Sequence, residues 1–307
     1  MTENGPSIGF VGFGEAGFHI AKGLRQAGIV GLTAYDINVR TPGSGEKIRR
    51  RAAEAETRLA DTNEELIRSS EIILSVVTSD QAALAAGQNA PYLGTGRLYA
   101  DLNSVSPALK QSIAQTITAT GARFVEIAVM APVPPHGHRV PMLAGGEAAG
   151  EFAERLAPFG MRVEVVGSEI GVAAATKMFR SIMVKGMEAL ITECVLGASR
   201  YGAERRVFAS LAETFPGITW HELADYMVGR VVAHGERRAR EMEEVAETLR
   251  GLGIEPIMAE ATARRMDWSV QVGLKARFGG EAPAGYREVL DALAAIAAAG
   301  PVQSRDR

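Results

Sequence analysis

The sequence predicts a chain in two parts: an α/β domain on a mostly parallel, doubly wound sheet, then an all-α domain, joined by a long helix. Three observations predict this. Through the first half, short apolar runs alternate with stretches of about 10–15 residues at helical spacing, the pattern of βαβ units. Near residue 168 the alternation stops, and most of the remaining chain has apolar residues three and four apart. The length, 307 residues, matches two domains at roughly 100–200 residues each. We expect one domain over 1–167 and the other over 168–307.

In chain order, Ser7 to Gly12 is a short apolar run, read as a buried strand. Glu15 to Ala27 carries Phe18, Ala21 and Leu24 at helical spacing, and Gly28 stands where a helix C-cap is expected. Val30 to Tyr35, Glu71 to Val77, Arg97 to Leu102 and Arg123 to Val129 read as further strands, with Pro107 to Ala119 a helix among them. Gly171 to about Arg200 reads as one long helix with a wide apolar surface. Glu222 to Leu252 and Pro256 to Val272 come next as helices. The Ala-rich run Ala292 to Ala299 suits close helix packing, and the tail Pro301 to Arg307 is expected to fray. No repeat of about 20–50 residues is present.

Composition removes several function classes. Hydrophobic residues at 47% and charged residues at 22% are ordinary for a globular chain and exclude a disordered or collagen-like one. The 33 basic and 36 acidic residues give a net charge of −3, so no nucleic-acid partner is expected. The single cysteine, Cys194, rules out an internal disulfide and any Cys-rich zinc or iron–sulfur site, and no metal is expected. No apolar run reaches about 18 residues, so no membrane-spanning helix is expected. The first residues lack a basic segment leading into an apolar one, so no signal peptide is read and a cytoplasmic location is expected.

Gly12-Phe13-Gly14-Glu15-Ala16-Gly17 matches G-x-G-x-x-G. Alone the pattern is weak. Here it succeeds an apolar strand, opens a helix and is trailed by Asp36 at the end of the second strand. Gly12 permits the tight turn, Gly14 a close backbone approach to a pyrophosphate, and Gly17 packing of helix on sheet. The helix N-terminus offers free N–H groups to phosphates. Asp36 can accept hydrogen bonds from both ribose hydroxyls, which favours NAD over NADP. Arg40, Arg49, Arg50 and Arg51 keep NADP open as the alternative, since a guanidinium can fork onto a 2′-phosphate. The first domain is therefore expected to be a Rossmann domain that binds NAD(P).

Three segments together resemble the β-hydroxyacid dehydrogenases, the family of 3-hydroxyisobutyrate dehydrogenase related to 6-phosphogluconate dehydrogenase. They are Gly9-Phe10-Val11-Gly12-Phe13-Gly14, Asp101-Leu102-Asn103-Ser104-Val105-Ser106-Pro107, and Gly171 with Lys177 six residues later. The stretch from Lys177 through Gly186 further resembles an uncharacterised branch whose C-terminal domain has no known function. The resemblance implies a catalytic lysine at Lys177. It implies a hydroxyl beside the nicotinamide ribose at Ser104, with Asn103 next to it, and a pass of the chain along the cofactor at Val77 and Thr78. Arg240, with Glu241 after it, takes the place of a Lys-Asp pair whose lysine approaches the cofactor. The resemblance also implies a homodimer.

Two departures bear on the substrate. The family's substrate loop is roughly Asp-x-Pro-Val-Ser-Gly-Gly. Here Glu126-Ile127-Ala128-Val129-Met130-Ala131-Pro132 lacks the serine and both glycines, which leaves Met130 and Ala131 as substrate contacts. The family's asparagines three and four residues after the lysine are replaced by Arg180 and Ser181. A guanidinium there could fork onto a carboxylate or phosphate.

Independently of any family, Lys177, Arg180, Ser181 and Glu188 fall within about 60° of one another on a helical wheel, with Lys185 slightly further round. Most of the remaining surface is apolar: Met178, Phe179, Ile182, Met183, Leu190, Ile191 and Leu196. A narrow polar stripe on a mostly buried helix must face water, a ligand or a partner group. Lys185 and Glu188 are expected to pair.

The expected activity is NAD(P)-dependent interconversion of a small anionic hydroxy acid, or a related alcohol, with its carbonyl form. An imine reductase and a non-catalytic NAD(P)-binding sensor are the alternatives. The loop Pro134-Pro135-His136-Gly137-His138-Arg139 is unusual, but no third ligand accompanies its histidines. We read it as a substrate loop or a plain turn. Trp220 and Trp268 are expected to anchor packing.

Overall fold

The computed structural model describes residues 5–298; the fraying expected for 301–307 lies outside them. The chain divides into two compact units, Met1–Lys177 and Met178–Arg307. Among its described residues the first holds eight strands: β1 (Ile8–Val11), β2 (Leu32–Tyr35), β3 (Arg58–Leu59), β4 (Ile72–Ser75), β5 (Leu98–Asp101), β6 (Arg123–Val129), β7 (Pro141–Gly145) and β8 (Arg162–Gly167). Between them run α1 (Glu15–Gln26), α2 (Ser44–Glu54), α3 (Asn63–Arg68), α4 (Ala82–Asn89), α5 (Pro107–Thr118), the short α6 (Val133–His136) and α7 (Ala149–Leu156). The long α8 (Val172–Ser199) leads into α9 (Glu204–Thr214), α10 (Trp220–Gly251), α11 (Ile257–Gln271), α12 (Leu274–Arg277) and α13 (Tyr286–Ala298).

The sheet order is β3-β2-β1-β4-β5-β6-β7-β8, parallel except where β6 meets β7. Successive residues of a strand point to opposite faces, and the strands obey this. Ile8, Phe10, Ile72 and Leu74 join one core with Phe18, Ile20 and Leu24 of α1 and Phe152 of α7. Val11, Ile73 and Tyr99 join another with Leu66 and Ile67 of α3, Ala82 of α4 and Ile113 of α5. Burial on both faces is why these strands read as continuous apolar runs.

Strand order reverses between β1 and β4, each of which has the other as a parallel neighbour. In open α/β sheets this is the crevice where ligands bind, outside the carboxyl ends of the strands. Gly12–Gly14 and Val76–Thr78 leave the sheet at this point.

The second unit is all helix, as the spacing predicts. Its main core gathers Ile191 and Val195 of α8, Phe208 of α9, Met227, Val228 and Val232 of α10, and Tyr286 and Val289 of α13. Trp220 and Trp268 are partly buried against it. The strands β3, β7 and β8 and the helix α9 were not read from the sequence: β3 has only two residues, and β8 is mostly exposed.

Candidate functional site

The glycine-rich turn is built as its residue types require. Gly12 has φ +86°, and a Cβ on it would lie 2.6 Å from the Val76 carbonyl oxygen. Neither the angle nor the space admits a side chain. A Cβ on Gly17 would come 2.9 Å from the Gly12 carbonyl oxygen, so α1 packs on the turn through bare backbone. Around Gly14 the space is open, and this residue heads α1 without a side-chain cap. The free N–H groups of the first turn thus face an unobstructed surface, a cradle that fits a pyrophosphate. Glu15 is exposed beside it, Ala16 is half-buried, and Phe13 is fully buried.

Asp36, just past β2, closes the turn from the other side. One carboxylate oxygen accepts the Phe13 N–H at 2.8 Å, the other the Asn38 N–H at 2.9 Å. The side chain is half-buried. Each oxygen keeps a lone pair, so the group can also receive ribose hydroxyls. Three of the downstream arginines are engaged: Arg40 pairs with Asp61 at 3.9 Å, Arg49 donates to the Val39 carbonyl, and Arg51 lies over the Phe18 ring at 5.9 Å.

The next element of the site is the pair of loops after β4 and β5. Asn103, expected among the cofactor contacts, is buried and directed inward. Its Oδ1 accepts the Val77 N–H at 2.8 Å, and its Nδ2 donates to Ser75 Oγ at 3.0 Å and Asp101 Oδ2 at 3.2 Å. It braces the Val77–Thr78 segment from beneath, leaving Val77 half-buried and Thr78 exposed. Asp101 is itself fully buried and ion-paired with Lys110 at 2.6 Å. Lys110 also donates to the Asp101 carbonyl at 2.7 Å. Burial pushes the Lys110 ammonium below the usual lysine pKa, against the pull of Asp101. Ser104, next along this braced loop, is exposed.

The start of α8 is held by Glu126 of β6, fully buried. Its Oε1 accepts the N–H of Gly171 at 2.8 Å and of Ala173 at 2.9 Å, so a carboxylate from the sheet caps the helix. Gly171 needs to be glycine, at φ +112°. One and a half turns on, Lys177 Nζ donates to Ser104 Oγ at 2.5 Å. The lysine and the serine, 73 positions apart, are thus brought into contact in one unit. Arg180, exposed, and Ser181, half-buried, come next on the same helix. Met130 and Ala131, where β6 ends, are half-buried.

Other expectations need correction. Lys185 and Glu188 do not pair with each other. Lys185 meets Glu241 at 2.9 Å, and Glu188 meets Arg230 at 3.0 Å and Arg238. Glu188 is fully buried, so at this end the polar stripe of α8 faces partner groups, one of the surroundings expected of it. Burial raises its pKa to about 7, opposed by Arg230. Arg240 needs no such correction: it is exposed on α10, bonded to Glu236 at 2.8 Å one turn back.

Sequence reading missed Glu126, Asp101 and Lys110 as organisers of the site. Glu126 stood at the head of the altered substrate segment. Its use as a helix cap depends on a partner 45 positions away, which no local pattern displays.

Comparisons with known proteins agree with this geometry. Residues 7–167 match the NAD binding domain of 6-phosphogluconate dehydrogenase, and residues 198–269 match a domain of unknown function, DUF1932. A conserved hypothetical protein from Sinorhizobium meliloti is 40% identical, with a TM-score of 0.76 over 85% of this chain and 87% of that one. A conserved protein of unknown function, MTH1747, described as structurally similar to 3-hydroxyacid dehydrogenases, is 31% identical, with a TM-score of 0.75 over 90% of this chain and 100% of that one. Mitochondrial 3-hydroxyisobutyrate dehydrogenase of Drosophila melanogaster is 26% identical over 70% of this chain and 65% of its own length. No described helix is long and apolar enough to cross a membrane. With its dinucleotide turn, its lysine on α8 and both family matches, the chain belongs to the β-hydroxyacid dehydrogenase family, an NAD(P)-using oxidoreductase of the branch that carries the C-terminal domain of unknown function.

Proposed function

We propose that this protein interconverts the alcohol of a small anionic hydroxy acid, or a related alcohol, with its carbonyl form, and that Lys177 handles the proton. The observation that carries the reading is the contact of Lys177 Nζ with Ser104 Oγ, on the loop that Asn103 ties to the segment after β4. Gly12, Phe13, Gly14, Glu15, Ala16, Gly17 and Asp36 would hold the dinucleotide, with Val77, Thr78 and Ser104 along its nicotinamide half. Asn103 supports them from inside.

Bound there, the nicotinamide supplies or accepts the hydride. Lys177 donates a hydrogen bond to the substrate oxygen as negative charge builds there, and passes the proton to it or takes it back. Ser104 orients the amine. Arg180 and Ser181 receive the substrate's anionic group, on which a guanidinium brings charge and a forked pair of donors where the family's asparagine brings a neutral amide. Met130 and Ala131 supply apolar contact. We assign dinucleotide binding to 1–167 and the substrate and dimerisation roles to 168–307, which includes Lys177, and expect a homodimer, which light scattering would test.

The test is a panel of hydroxy acids and phosphorylated alcohols, with cyclic imines for the reductase alternative, monitored by nicotinamide absorbance. Lys177→Ala should lower kcat by about 10²–10⁴-fold with dinucleotide affinity retained. Turnover close to wild type in that variant would remove the acid–base role. Tight dinucleotide binding with no turnover across the panel would favour a sensor.

A further inference from the structure

The loop carrying His136 and His138 has no part in the chemistry above, yet it forms one wall of a concavity of about 460 Å³. The opposite wall is the middle and end of α1. From the helix come His19, Lys22 and Gln26, and from the loop His136, His138 and Arg139, with no carboxylate in the lining. Of these basic groups, only Lys22 has a carboxylate partner among the described residues, Glu54 at 2.7 Å.

The floor is fitted. A Cβ on Gly23 would lie 2.0 Å from His138 Nδ1, so the imidazole seats against α1 only because residue 23 has no side chain. Gly137, at φ +57°, turns the loop so that its own Cβ position falls 3.3 Å from the His19 carbonyl oxygen. His138 is 7% exposed. Burial, and after it the neighbouring Arg139 guanidinium, hold its pKa below the ordinary histidine value.

We propose that this pocket binds a phosphate-bearing small molecule, separately from the dinucleotide. Arg139 has no carboxylate partner among the described residues, and a bound anion would supply its counter-charge. Basic side chains line the space from both the helix and the loop, and a phosphate offers more acceptor oxygens to them than a carboxylate does. The volume lies within the roughly 300–1,000 Å³ usual for small-molecule sites, enough for a phosphate and an organic body. The lining begins at His19, more than a turn beyond Gly14. It lies toward the C-terminal, electronegative end of α1, so side-chain charge and not the helix N-terminus makes the site.

The test uses the full chain with NAD at saturation, so that the dinucleotide turn is filled. Inorganic phosphate, pyrophosphate and citrate are titrated by calorimetry and by the histidine NMR resonances. Saturable binding of pyrophosphate is expected, tighter than citrate, with His19, His136 and His138 resonances moving together. Arg139→Glu, a change at an exposed position, should weaken it at least tenfold and leave NAD affinity unaltered. Phosphate and pyrophosphate binding that disappears when NAD saturates would overturn the proposal. So would binding indifferent to Arg139→Glu, or citrate binding tighter than pyrophosphate.

Discussion

Each unit buries a carboxylate completely, and the two are satisfied in opposite ways. In the α/β unit, each carboxylate binds backbone: one Glu126 oxygen accepts the N–H groups of Gly171 and Ala173, and Asp101 accepts the N–H of Asn103 beside the Asn103 side chain and Lys110. In the helical unit, Glu188 spends its oxygens on the guanidiniums of Arg230 and Arg238. A carboxylate bound to backbone fixes where a chain segment begins, and so aims the next side chain. A carboxylate bound to arginines fixes which helices lie together. The first arrangement sets the positions of Ser104 and Lys177; the second clamps α8 to α10.

The sharpest way to break the comparison is to remove the only side-chain countercharge shown on the Asp101 carboxylate. Lys110→Met should destabilise the protein by about 3–5 kcal/mol, because a buried charge loses its partner. Denaturant unfolding would measure it, and a loss under about 1 kcal/mol would mean that the Asn103 donors alone suffice for Asp101.

A smaller effect is expected at Glu126. Glu126→Gln keeps an acceptor for the two N–H groups but loses the charge at the helix end, a change of about 1–2 kcal/mol. If the carboxylate aims Lys177, kcat should fall about tenfold while KM for the dinucleotide holds, with Glu126→Asp recovering part of the loss. Equal changes in both parameters would mean the helix cap only stabilises the fold.

At the dinucleotide turn, Asp36→Ala should weaken NAD more than NADP, since it removes a ribose acceptor and frees space for a 2′-phosphate. An equal loss for the two, by fluorescence titration, would refute the ribose assignment.

A further expected effect is a pH slope. The pKa of Glu188 is raised to about 7 in the fold, so the native state holds a proton that the unfolded chain releases near 4.5. Between these values the native state binds more protons, and stability should fall as pH rises. Thermal unfolding at pH 5 and pH 7 would show it, and Glu188→Gln should flatten the difference. A slope unchanged in that variant would assign it to other groups.

The core strands were legible because two-faced burial makes them uninterrupted apolar runs, as in Ile72-Ile73-Leu74. The turn at Gly12–Gly17 was legible because its demands are local: a positive φ at residue 12 and bare backbone at residue 17. Lys177 was legible through its fixed distance from Gly171. The pairing expected between Lys185 and Glu188 failed because helical spacing describes neighbours on one helix, whereas buried charges take the partner that a facing helix supplies.

The amino-acid order by itself determined the alternation of elements, the dinucleotide turn and the helix that bears the lysine, because each rests on periodicity or on backbone limits within a few residues. Tertiary structure alone decided that Glu126 caps α8, that Asn103 faces inward, and that the His136–Arg139 loop meets α1 across a basic hollow. Those outcomes join residues dozens of positions apart. Only the closing of the fold determines which hydrogen-bonding group a buried donor or acceptor will find.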